Sequence, residues 1–145
     1  MRIKRKRNYG FSLVELIVVV LIMAIIAVSL APQVMKWVEN SRVATDASNY
    51  DVLVSHCQIA IADPEAHAEV AGAAKDFTIT ISDTISFKNG EDNDSGKFKD
   101  ALTKVNPDWV NIKKKASGGS PYVITIQAGT CAVERTNPPV TDDIE

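Results

Sequence analysis

The sequence predicts an α+β protein in which a long N-terminal α-helix packs on a small antiparallel β-sheet. Residues 16–28 contain no polar side chain, and neither glycine nor a further proline separates Pro32 from Pro64, so one helix can run through most of the first 63 residues. Residues 77–81 alternate apolar and polar side chains with a period of two, as a half-buried strand does. The helix therefore comes first and the sheet follows.

The long helix changes character along its length. Residues 11–35 are apolar on all sides and are expected to lie in a membrane or against like helices, with a kink caused by Pro32. Residues 36–63 continue it as an amphipathic helix whose apolar stripe docks on the sheet, and Asp46 is counted among its polar neighbours. The stripe consists of Val43, Ala47, Tyr50, Val54, Cys57 and Ile61.

Residues 64–135 are predicted to form the globular α+β domain. A short helix or ordered loop at 64–75 and a helix at 95–105 capped by Ser95 accompany the strands. The strands are predicted at residues 77–81, 85–87, 109–115 and 122–127, with turns at Asn89-Gly90 and Gly118-Gly119, and Tyr122, Ile124 and Ile126 on one face. Residues 136–145 are expected to be an acidic, flexible tail.

The N-terminus combines a basic leader, residues 1–10, with the apolar run that follows it. Such a segment is either a cleaved signal or a membrane helix. Ordinary signal-peptidase cleavage fits poorly, because the small residues Ser29-Leu30-Ala31 are followed by Pro32. The hydropathy also fits an uncleaved single-pass anchor. In a membrane-spanning protein the positive-inside rule keeps the leader cytoplasmic and exports everything after Lys36.

Glu15 is the only charged residue between Arg7 and Lys36. A carboxylate at a bilayer centre costs roughly 2.5–3.5 kcal/mol, so its presence needs a reason. The stretch Gly10-Phe11-Ser12-Leu13-Val14-Glu15-Leu16 resembles the class III leader junction of type IV prepilins and pseudopilins. The resemblance covers the first thirty-odd residues and implies a type IV pilin-like fold. It also implies cleavage after Gly10, N-methylation of Phe11, a filament-assembly role for Glu15 and a kink at Pro32.

The function implied by this resemblance is that of a structural subunit, or pilin, of a type IV pilus or pilus-like filament that supports adhesion, motility or surface attachment. Its implied partners are other copies of itself in a homopolymer, the prepilin peptidase, an assembly machinery with its ATPase, and the membrane before assembly. The subunit would lie in the cytoplasmic (inner) membrane with its N-terminus cytoplasmic, and afterwards in an extracellular pilus or an envelope-spanning pseudopilus. Two alternatives stay open: a pseudopilin or minor pilin of a type II secretion or DNA-uptake apparatus, and a monomeric membrane-anchored binding domain.

Composition and motifs narrow the function classes. Removal of residues 1–10 takes away five of the 16 basic side chains and none of the 18 acidic ones, which changes the net charge from −2 to −7. That balance argues against a dedicated nucleic-acid site. The cluster Lys113-Lys114-Lys115 is interpreted as a solvated strand end, the alternative being contact with DNA or an anionic surface. No catalytic motif or cofactor motif is present, so neither enzyme activity nor a cofactor is expected.

The two cysteines, Cys57 and Cys131, are predicted to form a disulfide, since an exported domain lies in an oxidising compartment. Two separate buried thiols, or a metal site with His56 and His67, are the alternatives.

A weak calcium candidate lies at Glu91, Asp92 and Asp94, which supply oxygen ligands without the spacing of an EF-hand. A solvated turn is the alternative, and no metal site is predicted.

Overall fold

The computed structural model describes residues 10–90 and 94–140, and it divides into two compact units, Met1–Trp37 and Val38–Glu145. Residues 1–9 of the basic leader, Glu91 and Asp92 of the calcium candidate, and the last five residues of the predicted tail therefore lie outside the described residues. Helix α1, Leu13–Ile61, begins in the first unit and ends in the second.

Within the first unit, the apolar residues form the first half of α1. All side chains from Phe11 to Trp37 are exposed, although most of them are Val, Leu, Ile, Met or Ala. Pro32 lies inside the helix, which continues through it without interruption. The predicted kink at this residue stays a prediction.

The second unit is built around a four-stranded antiparallel sheet. Its strands are β1 (Phe77–Ile81), β2 (Ile85–Lys88), β3 (Tyr122–Ile126) and β4 (Val133–Asn137), in the order β2-β1-β3-β4. In β1 and β3 every second side chain is buried, because their alternating apolar residues point to one face of the sheet. The predicted shared face of Tyr122, Ile124 and Ile126 is therefore confirmed.

The C-terminal half of α1 supplies the other half of the core. Each of its buried residues has another three or four positions away, as a single helix face requires. Tyr50 fixes this face to the sheet by donating its hydroxyl to the carbonyl of Val123 at 2.8 Å. The pilin-like α+β arrangement predicted from the sequence is thus confirmed. The buried residues of α1 are Asp46, Tyr50, Leu53, Val54, Cys57 and Ala60.

Two short helices complete the unit: α2, Pro64–Gly72, and α3, Lys97–Val105. Pro64 occupies the first turn of α2, and the side chain of Asp63 caps that helix by accepting the amide of Glu65 at 2.9 Å. The rings of Phe77, Phe87, Phe98 and Trp109 pack edge-to-face or stacked between these elements and the sheet.

The cap predicted for α3 at Ser95 was wrong. Gly96 occupies the cap position with φ 136°, and a glycine has no side chain that could accept a hydrogen bond from the helix. Instead, Glu69 of α2 accepts the amide of Phe98 with Oε2 at 2.7 Å. A carboxylate from another helix therefore satisfies this N-terminus, which a local sequence pattern cannot indicate.

Residues 109–115 were wrongly predicted to be a strand. Only a 3₁₀ helix, Trp109–Asn111, forms there. Asn106 accepts the amide of Asp108 at 3.0 Å and starts a turn, while the buried Trp109 indole donates to Thr103 at 3.0 Å. These contacts fix Trp109 as an anchor of the core rather than as a strand residue.

Strand β4 lies where the sequence predicted the end of the domain and the start of the tail. It includes Thr136 and Asn137, because β3 offers an unpaired edge and Arg135 forms an ion pair with Asp51 of α1 at 2.7 Å. The register between the two strands shifts at Val123/Ile124, so Thr136 is an extra residue on β4.

Candidate functional site

The residues at the predicted cleavage junction lie just before and inside the first turn of α1. Gly10, Phe11 and Ser12 are not helical, Phe11 is 89% exposed, and the helix begins at Leu13. The carboxylate of Glu15 accepts the backbone amide of Ser12 at 2.9 Å. This contact is half of a capping box, in which a Glu at the third helical position satisfies the amide of the cap residue.

The capping contact gives Glu15 a partner within its own chain. The N-terminus of a helix carries a partial positive charge, so a carboxylate in the first turn is stabilised there. Cleavage after Gly10 would place a new ammonium group on Phe11, about one helical turn from Glu15. The junction can therefore hold a cation and a carboxylate close together at the edge of an apolar segment.

The apolar segment itself, residues 11–35, meets the length requirement of a bilayer. At about 1.5 Å per residue its helical part exceeds the ~30 Å thickness of a hydrocarbon core. Helix α1 is the one helix, among the described residues, that is long and apolar enough to cross a membrane, and the window that meets this criterion is 0% buried. Its exposed surface is available to lipid or to other helices.

Comparison with known proteins gives one finding at this junction. Residues 5–31 match the model of the prokaryotic N-terminal methylation motif. The chain carries this motif. The motif is the class III prepilin leader of type IV pilins and pseudopilins, so the resemblance seen in the sequence is confirmed. No curated protein and no solved structure matches the chain.

The methylation motif bears on the broad class of the protein. It supports a structural subunit of type IV pilin or pseudopilin type. It implies processing by prepilin peptidase, anchoring in the membrane through the apolar helix, and later assembly into filaments. The individual roles of Gly10, Phe11, Glu15 and Pro32 stay predictions.

The two cysteines are both buried in the core of the second unit and are free thiols in this structure, so the predicted disulfide is not formed in it. Burial raises the pKa of the Cys57 thiol to about 12. Cys131 has a φ of 56° and donates its thiol to the carbonyl of His67 at 3.7 Å. The disulfide stays a prediction for the protein in an oxidising compartment.

The calcium candidate is only partly described. Asp94 forms an ion pair with Lys99 at 2.7 Å, while Glu91 and Asp92 lie outside the described residues. Within residues 10–90 and 94–140, no group of three or more His, Cys, Asp or Glu side chains is placed to hold a metal ion. The weak calcium candidate stays a prediction.

The lysine cluster lies in a loop rather than at a strand end. The ammonium of Lys114 donates to the carbonyls of Gly118 and Ser120, and it lies 5.1 Å from the ring centre of Tyr122. Lys113 and Lys115 are exposed. Lys114 therefore stabilises its own loop.

Two carboxylates of α1, which sequence reasoning did not single out, hold this loop in place. Asp46 is 3% exposed and accepts the amides of Lys115 and Ala116 together with the hydroxyl of Tyr122. Glu39, two helical turns earlier on the same side, accepts the amide and the hydroxyl of Ser117. The expectation that Asp46 is a polar neighbour outside the buried stripe was wrong.

These contacts perturb the titration of their partners. The amide of Ser117 is the main cause that lowers the pKa of Glu39, with smaller contributions from the Ser117 hydroxyl and Arg42 and an opposing one from burial. Burial, followed by the neighbouring Asp46, raises the pKa of Tyr122 to about 12. Glu39 and Asp46 are seven residues apart, which places them on one side of a helix. This spacing is the sequence signal that could have indicated them.

Proposed function

We propose that this chain is a type IV pilin-like structural subunit that is processed after Gly10 and polymerises through the apolar half of its N-terminal helix. The supporting observation is the junction itself: a carboxylate, Glu15, in the first turn of α1, whose apolar first half is exposed throughout and carries the methylation motif. The two alternatives, a pseudopilin and a monomeric anchored domain, differ from this proposal in the two experiments below.

The role proposed for Glu15 follows from the cost of a buried charge. In the unassembled subunit the carboxylate caps its own helix. In a filament it can pair with the methylated amine of Phe11 on a neighbouring copy, because two opposite charges in low dielectric attract strongly when both are desolvated. The pairing would set the register between neighbouring helices.

The N-terminus of the mature protein tests the processing. Mass spectrometry of the chain from its native envelope is expected to find Phe11 as the first residue, carrying one added methyl group. A chain that still begins at Met1, or that starts elsewhere, would contradict the proposal.

Electron microscopy of sheared surface fibres tests the assembly. Fibres are expected from the wild-type chain and not from the Glu15→Ala variant, while both insert into the membrane to the same extent. Abundant surface fibres would indicate a pilus. Loss of secretion or DNA uptake without such fibres would indicate a pseudopilin. An unprocessed chain that forms no fibres would indicate the anchored monomer.

A further inference from the structure

The C-terminal end of the first unit carries three polar side chains, Gln33, Lys36 and Trp37, which we call the interfacial cluster. Lys36 and Trp37 follow Gln33 by three and four positions, so the three are neighbours on one side of α1. No basic residue and no Trp or Tyr lies between Phe11 and Gln33. An amide, an ammonium and an indole N–H therefore come together at the point where the apolar run ends.

The interfacial cluster has no partner within its own chain. All three side chains are exposed, and none of them forms a hydrogen bond or an ion pair with another of the described residues. Trp37 is 63% exposed and is the only exposed Trp or Tyr in residues 10–90 and 94–140. The other Trp of the chain, Trp109, is 1% exposed and donates its indole N–H to Thr103 at 3.0 Å. The donors of the cluster are therefore available to a partner outside the chain.

The chemistry of the interfacial cluster matches the headgroup layer of a phospholipid bilayer. Tryptophan is enriched in that layer because its ring is apolar while its N–H needs a polar partner. A lysine near the end of a membrane helix keeps its aliphatic stem against apolar surface and extends its ammonium to the interface. Trp37 and Lys36 thus combine the two residue types that mark a membrane boundary.

The separation between Glu15 and the interfacial cluster matches the thickness of a bilayer. Trp37 follows Glu15 by 22 positions on a helix that continues through Pro32 without interruption. At 1.5 Å per residue the two residues lie about 33 Å apart along the axis, against a hydrocarbon core of about 30 Å. When Trp37 lies at one interface, Glu15 therefore reaches the opposite one, where its carboxylate avoids the cost of a charge at the bilayer centre.

The stretch between Glu15 and Gln33 has side chains suited to hydrocarbon. Its only polar side chain is that of Ser29, whose hydroxyl donates to the carbonyl of Ile26 at 2.9 Å. The side chains of this stretch would therefore bring no unsatisfied donor into the lipid.

We propose that the interfacial cluster binds the phospholipid headgroups of one membrane leaflet and thereby fixes the depth of the unassembled subunit, with Glu15 at the opposite interface. The match in length favours a bilayer, rather than a second copy of the chain, as the partner of the cluster. This inference goes beyond the proposed function, because it concerns the subunit in the membrane and applies equally to a pilin, a pseudopilin or an anchored monomer.

Fluorescence quenching by brominated lipids measures the depth of Trp37. The full chain is reconstituted in vesicles of phosphatidylcholine and phosphatidylglycerol whose acyl chains carry bromine either near the headgroup or near the chain end. The chain has two tryptophans, so the variant Trp37→Phe reports Trp109 alone and is the matched control. Subtraction of its signal isolates Trp37 without disturbing the core, since Trp37 is exposed.

Bromine near the headgroup is expected to quench Trp37 about threefold or more as strongly as bromine near the chain end, since the indole would lie at the headgroup level. Trp109 is expected to be quenched by neither lipid, because it is buried in the core of the second unit. Equal or stronger quenching of Trp37 by bromine near the chain end, or no quenching of it by either lipid, would overturn the inference. The same quenching profile in Trp37→Phe would do so too.

A label near the other end of the span tests the depth of Glu15. The variants Ser12→Cys and Ala27→Cys can each be labelled with bimane in detergent before reconstitution, since the two native cysteines are buried. Ser12 lies within one helical turn of Glu15, whereas Ala27 lies about midway between Glu15 and Trp37.

Bimane at Ser12→Cys is expected to be quenched mainly by bromine near the headgroup, and bimane at Ala27→Cys mainly by bromine near the chain end. A Ser12→Cys label that is quenched mainly by bromine near the chain end would place Glu15 inside the hydrocarbon and refute the proposed depth. Both measurements use dispersed subunits in vesicles, so their outcome is independent of whether the chain forms fibres.

Discussion

The Asp46 carboxylate accepts the backbone amide of Lys115 with both of its oxygens, at 2.8 and 2.9 Å. This contact joins residues 69 positions apart and fixes the loop between the 3₁₀ helix and β3 on helix α1. A buried carboxylate that is satisfied by main-chain amides constrains the loop backbone more directly than a surface ion pair would.

Replacement of Asp46 by alanine is expected to lower the free energy of unfolding by about 2–4 kcal/mol, because two part-buried amides and the buried hydroxyl of Tyr122 lose their acceptor. Denaturant unfolding of the detergent-solubilised chain measures this. Asp51→Ala is the matched control on the same helix: it removes an ion pair whose side chains are more than half exposed, and it is expected to cost less than about 1 kcal/mol. Equal losses for the two variants would contradict the assigned role of Asp46.

Glu39 makes the stability depend on pH. Its pKa in the folded chain lies below the ordinary value of 4.5, mainly through the Ser117 amide, so it contributes stability above pH 4.5 that is lost as the pH falls through the folded pKa. Melting temperatures of the wild type and Glu39→Gln, measured from pH 3 to pH 7, are expected to converge at the acidic end. A difference that is independent of pH would rule out this linkage.

Gly96→Ala is expected to destabilise the contact between α2 and α3 by about 1–3 kcal/mol, since a positive φ and a close carboxylate both oppose a side chain. A Cβ on Gly96, whose φ is 136°, would lie 2.3 Å from Oε1 of Glu69. Gly72→Ala, where a Cβ would meet no atom within 4 Å, is the control and is expected to be neutral or stabilising. Thermal melting of both variants checks this, and a neutral Gly96→Ala would show that Glu69 can move aside.

The predicted disulfide between Cys57 and Cys131 is checked by counting thiols. The chain taken from its native envelope and unfolded without reductant is expected to show no free thiol, and two after reduction. The bond would close a loop of 75 residues and stabilise the fold by at most about 4–5 kcal/mol. Two free thiols before reduction would establish the two cysteines as the independent buried thiols that this structure contains.

Patterns between neighbouring residues predicted the fold well. The alternation in residues 77–81 and 122–126 and the apolar run of α1 identify their elements, because burial of one face dictates both periods. The methylation motif could also be predicted from the sequence, since the residues that indicated it, 10–16, are consecutive.

Contacts between distant residues could not be predicted in the same way. Trp109 and Val110 resemble the start of a strand, but the buried indole and the turn at Asn106 decide their conformation. Asp46 resembles a solvent-facing acid, and only the folded loop at Lys115 supplies the amides that make its burial favourable.

The position of the first helical residue has a consequence for maturation. Because α1 begins at Leu13, the peptide bond between Gly10 and Phe11 lies in non-helical backbone, in the form that a protease active site accepts. Hydrolysis there would leave every backbone hydrogen bond of the helix unchanged. Maturation would then leave the helix of the precursor intact: five cationic side chains depart with residues 1–10, and the terminal ammonium passes from Met1 to Phe11.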